Sequence, residues 1–258
     1  MHPSLAHVDH RPWPLPRGPW VMQQTWHDLL FAHWPVDARA LGALLPAELE
    51  LDLWQGRAWL GIVPFRMSGV RLRGLPPVPG ANAFPELNVR TYVRPRARGD
   101  ARPGVWFLSL DADSALAVAA ARAWFRLPYF RARMRCSPAG EAIEYDSERV
   151  DARGAPSRLV ARYGPSGPIA LAVSGSFEHW LTERYCLYAR SRSGRLLRGE
   201  IHHQPWPLQP AQAAWSANTA AGAHGLELPD QAPHLAFARR IEVAIWAPAG
   251  LPQSGRAC

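Results

Sequence analysis

Residues 86–94, Glu86-Leu87-Asn88-Val89-Arg90-Thr91-Tyr92-Val93-Arg94, alternate strictly between two sets of side chains. Leu87, Val89, Thr91 and Val93 fall on one parity, and Glu86, Asn88, Arg90 and Tyr92 on the other. Successive side chains of a β-strand point to opposite faces, so this pattern predicts a strand with one apolar and one polar face. In an open antiparallel sheet the polar face meets solvent. In a closed barrel it lines a lumen. The sequence leaves both readings open, and the choice decides whether Glu86, Asn88 and Arg90 are surface or site.

Working outward, the chain reads as β-rich throughout. Residues 58–65, Ala-Trp-Leu-Gly-Ile-Val-Pro-Phe, are apolar on both parities and predict a strand covered on both faces, with Pro64 pointing to an edge or a bulge. Leu49–Trp54 and Arg57–Ser68 flank Gln55-Gly56 and read as a hairpin, preceded by a short helix capped by Asp37 and stopped by Pro46. Gly104–Asp111 is a further strand. An Ala-rich helix follows, capped by Asp113 or Ser114 and ended before Pro128. Tyr129–Cys136 and Ala142–Arg149 form a charged hairpin in which Arg135, Arg133 and Arg131 are expected opposite Glu144, Asp146 and Glu148. Strands are also expected at 158–163, 182–189, 195–203 and 235–246, a short helix from a Ser176 cap, and a helix over 209–222. One domain, residues 20–247, lies between a loose Pro-rich lead (1–19) and a frayed tail (248–258); the Met1 amine is expected to be mobile.

Composition narrows the chemistry. With 258 residues and 48% hydrophobic side chains, the chain can bury a sizeable core, to which its twelve Trp contribute. No run approaches the ~18 apolar residues of a membrane span, and the first residues lack an apolar signal core. Cys136, Cys186 and Cys258 are too few and too scattered for a disulfide framework, which fits a reducing cytoplasm. All 29 basic residues are arginine, for a net charge of +8. No side chain can therefore form a Schiff base through a lysine amine. The cluster Arg190, Arg192, Arg195 and Arg198 surrounds a Ser193-Gly194 turn without interleaved aromatics, so it reads as a solvated hairpin and not a nucleic-acid surface. His202 and His203 are adjacent on a strand and point apart, which rules out joint chelation. No nucleotide, phosphate or metal motif is present, and neither a cofactor nor a metal is expected.

Five phrases occur in order: AWLGIVPFRMSGVRLRGLPP (58–77), FPELNVRTYV (84–93), PGVWFLSLDADSALAVAAARAWFRLPYFRARM (103–134), HWLTERYCLYARSRSGRLLRGEIHHQPWPLQP (179–210) and LAFARRIEVAIW (235–246). Through them the chain resembles the YqjF-like family of uncharacterised proteins over about residues 20–246. That family is in turn distantly similar to the acetoacetate decarboxylase-like superfamily. The likeness implies a mainly β (α+β) fold, an antiparallel double-layered β-barrel with a few short helices around a pocket. It also implies that Tyr129 and Phe130 stand where the decarboxylases carry two lysines, the first their Schiff-base nucleophile, and that Glu86 matches their pocket glutamate.

The expected site follows. Arg90 clamps a ligand carboxylate, Glu86 acts as acid or base, and Tyr129 donates a hydrogen bond in the lost lysine's place. Asn88, on the parity of Glu86, and Glu200 and His202, which share a parity with Arg198, are further substrate-binding candidates. The expected partner is a small carboxylate-bearing molecule, with no membrane; nucleic acid is the disfavoured partner, and self-association stays open. A non-catalytic ligand-binding or sensing module is the first alternative, and an Arg-driven nucleic-acid binder, marked by salt-dependent retention on heparin or DNA, is the more remote one.

Overall fold

The fold is taken from a computed structural model, which describes residues 2–97, 99 and 101–251. Its strands are β1 (Met22–Val36), β2 (Leu49–Leu51), β3 (Ala58–Leu72), β4 (Phe84–Pro95), β5 (Gly104–Ala112), β6 (Tyr129–Ala139), β7 (Ala142–Arg149), β8 (Arg158–Pro165), β9 (Cys186–Arg190), β10 (Leu196–His202), β11 (Gln209–Asn218), β12 (His234–Ile245) and β13 (Ala249–Gly250). Among the described residues three short α-helices interrupt them: α1 (Ala38–Ala43), α2 (Ala115–Trp124) and α3 (Phe177–Thr182).

Nine strands close into a barrel in the order β5-β6-β7-β8-β11-β12-β1-β3-β4, β4 returning to β5. A second circuit shares the wall β12-β1-β3-β4-β5 and is completed by β9 and β10, because β5 also pairs with β9 and β12 with β10. The wall strands are thus covered on both faces. On β4 the apolar parity, Leu87 and Val89, packs with Leu30, Ile62, Tyr145 and Phe237 inside the nine-stranded barrel. Each such side chain, when fully buried, contributes ~1.5–3 kcal/mol. The polar parity of β4 points to the other side, toward β9, β10 and α2. The lumen reading of residues 86–94 is the one the fold adopts.

Most pairings are antiparallel, but β5 runs parallel to both β6 and β9. The expected antiparallel barrel is present, with parallel pairings confined to β5. The reason is local: β5 is joined to β6 through α2, and a helical crossover returns the chain parallel to the strand it left. Ser114 accepts a hydrogen bond from Ala117 N (3.1 Å) and starts that helix.

Several expected elements differ. Residues 209–222 contain β11, not a helix. Its alanines have high helix propensity, but pairing with β8 and an alternating half-buried face override it. Residues 49–51 pair with β4, not β3, and only the single bridge Trp54–Arg57 survives of the expected hairpin. In the charged hairpin Arg133 faces Glu148, Arg135 faces Asp146, and Ser137 faces Glu144. The turn is the two-residue Gly140-Glu141, so the ladder slips by two residues, which leaves every side chain on its expected face. Arg131 instead reaches Asp113 (3.0 Å).

The alternation rule does not reveal β1, because its ladder with β3 shifts between His27 and Ala32. Asp28 bulges there at φ 52 opposite the stretch containing Pro64, whose missing N–H has no ladder bond to make. The Asp28 carboxylate pairs with Arg66 and Arg239 at 2.8 Å each. The N-terminal lead is docked and not loose: His2, Ser4 and Arg11 are buried. Met1 and residues 252–258, including Cys258, lie outside the described residues; of the expected frayed tail, Ala249–Gly250 pairs with β10.

Candidate functional site

Between the polar face of β4 and the β9–β10 circuit lies a cavity of about 480 Å³. Glu86, Asn88 and Arg90 line it because residues i, i+2 and i+4 of a strand share a face. Tyr129 joins them from the first position of β6, brought to β4 by the parallel pairing of β5 and β6. Tyr92, of the same parity, turns away and hydrogen-bonds His33 Nε2 (2.6 Å).

The Tyr129 hydroxyl donates to Glu86 Oε2 at 2.8 Å, within a buried pair. Burial pushes the Glu86 carboxyl up to about 8, against the opposing pull of hydrogen bonds from Tyr129 and Asn88. At neutral pH Glu86 is therefore mainly protonated. Burial, reinforced by the neighbouring Glu86, also raises the Tyr129 phenol well above its ordinary value, so Tyr129 stays a donor. A neutral carboxylic acid and a phenol thus face the cavity together.

Arg90 is 9% exposed. Among the described residues no carboxylate pairs with it, and its Nε has no hydrogen-bond partner. Its guanidinium lies over the rings of Phe31 (5.4 Å) and Tyr92 (5.9 Å). The Asn88 side-chain oxygen is buried and unpartnered as well. Buried polar groups are normally paired, so these two atoms mark a place where the fold leaves hydrogen-bonding capacity for something else.

Gly61 makes this arrangement fit. It faces His33 on β1 and Arg90 on β4, and a Cβ there would lie 2.6 Å from His33 Nε2. Gly61→Ala must therefore displace His33 from Tyr92. A loss of ~1–3 kcal/mol is expected, read as a lower urea midpoint at unchanged slope.

Glu200 and His202 do not join the cavity, in contrast to the expectation. Glu200 takes Arg11, Arg102 and Arg198 as partners and accepts from Trp13 Nε1 (2.9 Å). His202 Nε2 donates to the Ser4 carbonyl (2.8 Å). Both hold the N-terminal lead to the outside of β10. The opposite parity, Ile201 and His203, faces inward. His203 is buried and stacked on Tyr185 with ring centroids 4.7 Å apart, and burial lowers its imidazole to about 3, so it is neutral. Arg184, unremarked in the sequence, also lines the cavity, its charge matched by Asp52 at 2.6 Å. Its position after α3 gives it no periodic signature. Among the described residues no three His, Cys, Asp or Glu side chains converge as a metal site, and no helix is long and apolar enough to cross a membrane.

Known proteins share the sequence and the fold of this chain. Uncharacterized protein YqjF of Bacillus subtilis is 47% identical over 232 residues, which span 90% of this chain and 93% of that protein. Among solved structures, acetoacetate decarboxylase from Legionella pneumophila superposes with a TM-score of 0.61 at 13% identity, covering 95% of this chain and 94% of its own. The enduracididine biosynthesis enzyme MppR, in a structure with HEPES bound, gives 0.62 at 11%, covering 92% and 90%. These likenesses show an acetoacetate decarboxylase-like fold. Residues 23–242 match the profile of the uncharacterized conserved proteins called DUF2071, and with the YqjF match this shows that the chain belongs to the DUF2071, YqjF-like family.

Proposed function

We propose that the barrel binds a small carboxylate-bearing molecule and exchanges protons with it without a covalent intermediate. The observation that carries this reading is Arg90: a buried guanidinium without a carboxylate partner among the described residues, on the same strand face as Glu86, whose partner Tyr129 joins from β6. Guanidinium matches a carboxylate with two parallel hydrogen bonds. Arg90 stands two strand repeats along β4 from Glu86, on the same face. Tyr129 occupies Oε2, which leaves the other oxygen to carry the proton. With a value near 8, about one tenth of Glu86 is ionised at pH 7, so both proton donor and acceptor forms are populated. MppR, of the same fold, has been solved in complex with pyruvate, a small carboxylate of the proposed class. The scattered cysteines are in keeping with a cytoplasmic setting.

Schiff-base chemistry has no side-chain amine in this chain, since no lysine is present. Exchange of the α-protons of pyruvate and acetoacetate in D2O, followed by NMR, tests the proposal. The expected result is exchange above background that Glu86→Gln abolishes, with no adduct after borohydride and no decarboxylation of acetoacetate above background. Arg90-dependent binding with no exchange selects the alternative, a binding or sensing module. A stoichiometric reductive adduct on a cavity residue overturns the non-covalent reading.

A further inference from the structure

The cavity has two unlike ends. Its floor holds Glu86, Arg90 and His203, all at most 9% exposed. Its open end is marked by lining residues that are themselves exposed: Leu75 (56%) and Val78 (53%) from the 73–83 loop, and Leu116 (53%) and Trp124 (44%) from α2. Between floor and lip the wall is apolar, including Trp26, Phe107, Phe125 and Trp206. Loop and helix are tied together at one corner, where Ser114 Oγ donates to the Gly80 carbonyl at 2.5 Å.

Resting on the proposed role of Arg90, we infer that the ligand is an amphipathic monocarboxylic acid. Its head group pairs with Arg90, and its apolar tail runs along the wall to the lip formed by α2 and the 73–83 loop. Two observations carry the inference beyond a generic small acid. The first is charge. Of the three lining arginines, Arg71 is exposed and solvated, Arg184 is matched by Asp52, and Arg90 has no carboxylate partner among the described residues, so the floor offers one positive charge and calls for one negative charge. The neutral states of Glu86 and His203 leave that count unchanged. The second is room. A few-carbon acid seated at the floor leaves most of about 480 Å³ of apolar space unfilled, and leaves four large side chains at the mouth without apolar cover. An alkyl or aryl tail supplies both.

Calorimetric titration of the full chain with straight-chain acids from hexanoate to dodecanoate tests this, with decanol and decanedioate as controls. Each added methylene is expected to tighten Kd about fourfold until the tail reaches the lip. Arg90→Met should weaken every acid by a similar factor and leave the chain-length slope intact. Leu116→Glu should flatten the slope for the longest acids and spare hexanoate; its exposed side chain makes the substitution compatible with folding. Leu75→Ser repeats the test from the facing loop. Decanol and decanedioate should bind more weakly than decanoate. Arg90-dependent binding with no gain along the series overturns the tail site and leaves the Arg90 clamp standing. A normal slope with indifference to Arg90→Met, or decanol matching decanoate, overturns the clamp and with it the monocarboxylate class. Preference for decanedioate overturns the charge count.

Discussion

Arg90→Met is expected to stabilise the ligand-free protein while destroying its affinity for carboxylates. A guanidinium taken from water without a counter-charge carries a desolvation penalty of several kcal/mol. The contacts with Phe31 and Tyr92 offset part of this, since a cation over an aromatic ring contributes about 0.5–2 kcal/mol. Methionine fills a similar volume without the charge, so a gain of ~1–4 kcal/mol in urea denaturation is expected, by analogy with buried ionic groups replaced by apolar ones. Removing one partner of a desolvated charge pair costs the complex about 2–5 kcal/mol, which is roughly 30-fold to several thousand-fold in Kd. Stability and affinity should thus move in opposite directions in one variant. A loss of stability in Arg90→Met would instead make the guanidinium a structural group and remove the main support for a ligand carboxylate.

The second large effect is a fall in stability on the alkaline side that belongs to one residue. Glu86 holds its proton up to about pH 8 in the folded state, against an ordinary value of 4.5. Between those limits the folded protein binds one more proton than the unfolded chain, so stability decreases as pH rises. The stabilisation is fully present below pH 4.5 and is lost by pH 8, a total of about 5 kcal/mol at 1.36 kcal/mol per unit. Other groups overlap at the acid end. Asp111, raised to about 6 chiefly by burial, adds a slope of the same sign from 3.8 to 6. His202, His203 and His224, lowered to about 4, 3 and 4, act with the opposite sign, their stabilisation growing with pH up to their unfolded value of 6.5. From pH 6.5 to 8 the histidines finish titrating in the unfolded chain, a rise common to the wild type and Glu86→Gln, so the difference between the two proteins isolates the Glu86 slope, about 2 kcal/mol. In urea denaturation at pH 6.5 and 8, the change in the wild type should be about 2 kcal/mol less favourable than the change in Glu86→Gln. Equal changes in both proteins would mean that Glu86 is ionised in the folded state, and proton donation by Glu86 would then fail as well.

How much of this was legible in the sequence can be traced residue by residue. Alternation through 86–94 put Glu86, Asn88 and Arg90 on one face, and the caps at Asp37, Ser114 and Ser176 start helices where expected. These are local features, set by backbone geometry within a few residues. The absence of lysine alone removed Schiff-base chemistry through a side-chain amine, whatever the fold. Tertiary structure decided the rest. Glu200 and His202 have the same alternating signature as Glu86 and Arg90, yet they face the N-terminal lead, because the side of β10 that becomes interior depends on pairing with β9 and β12. Arg184 enters the cavity from a segment with no periodicity. Residues 209–218 became a strand because β8 offered an edge that outweighed the helix propensity of alanine. Sequence by itself determined which side chains share a face and which chemistry the chain lacks, since both follow from residue identity and a two-residue repeat. Only closure of the sheet decided which faces look inward, because a strand's inside is defined by partners far away in the chain.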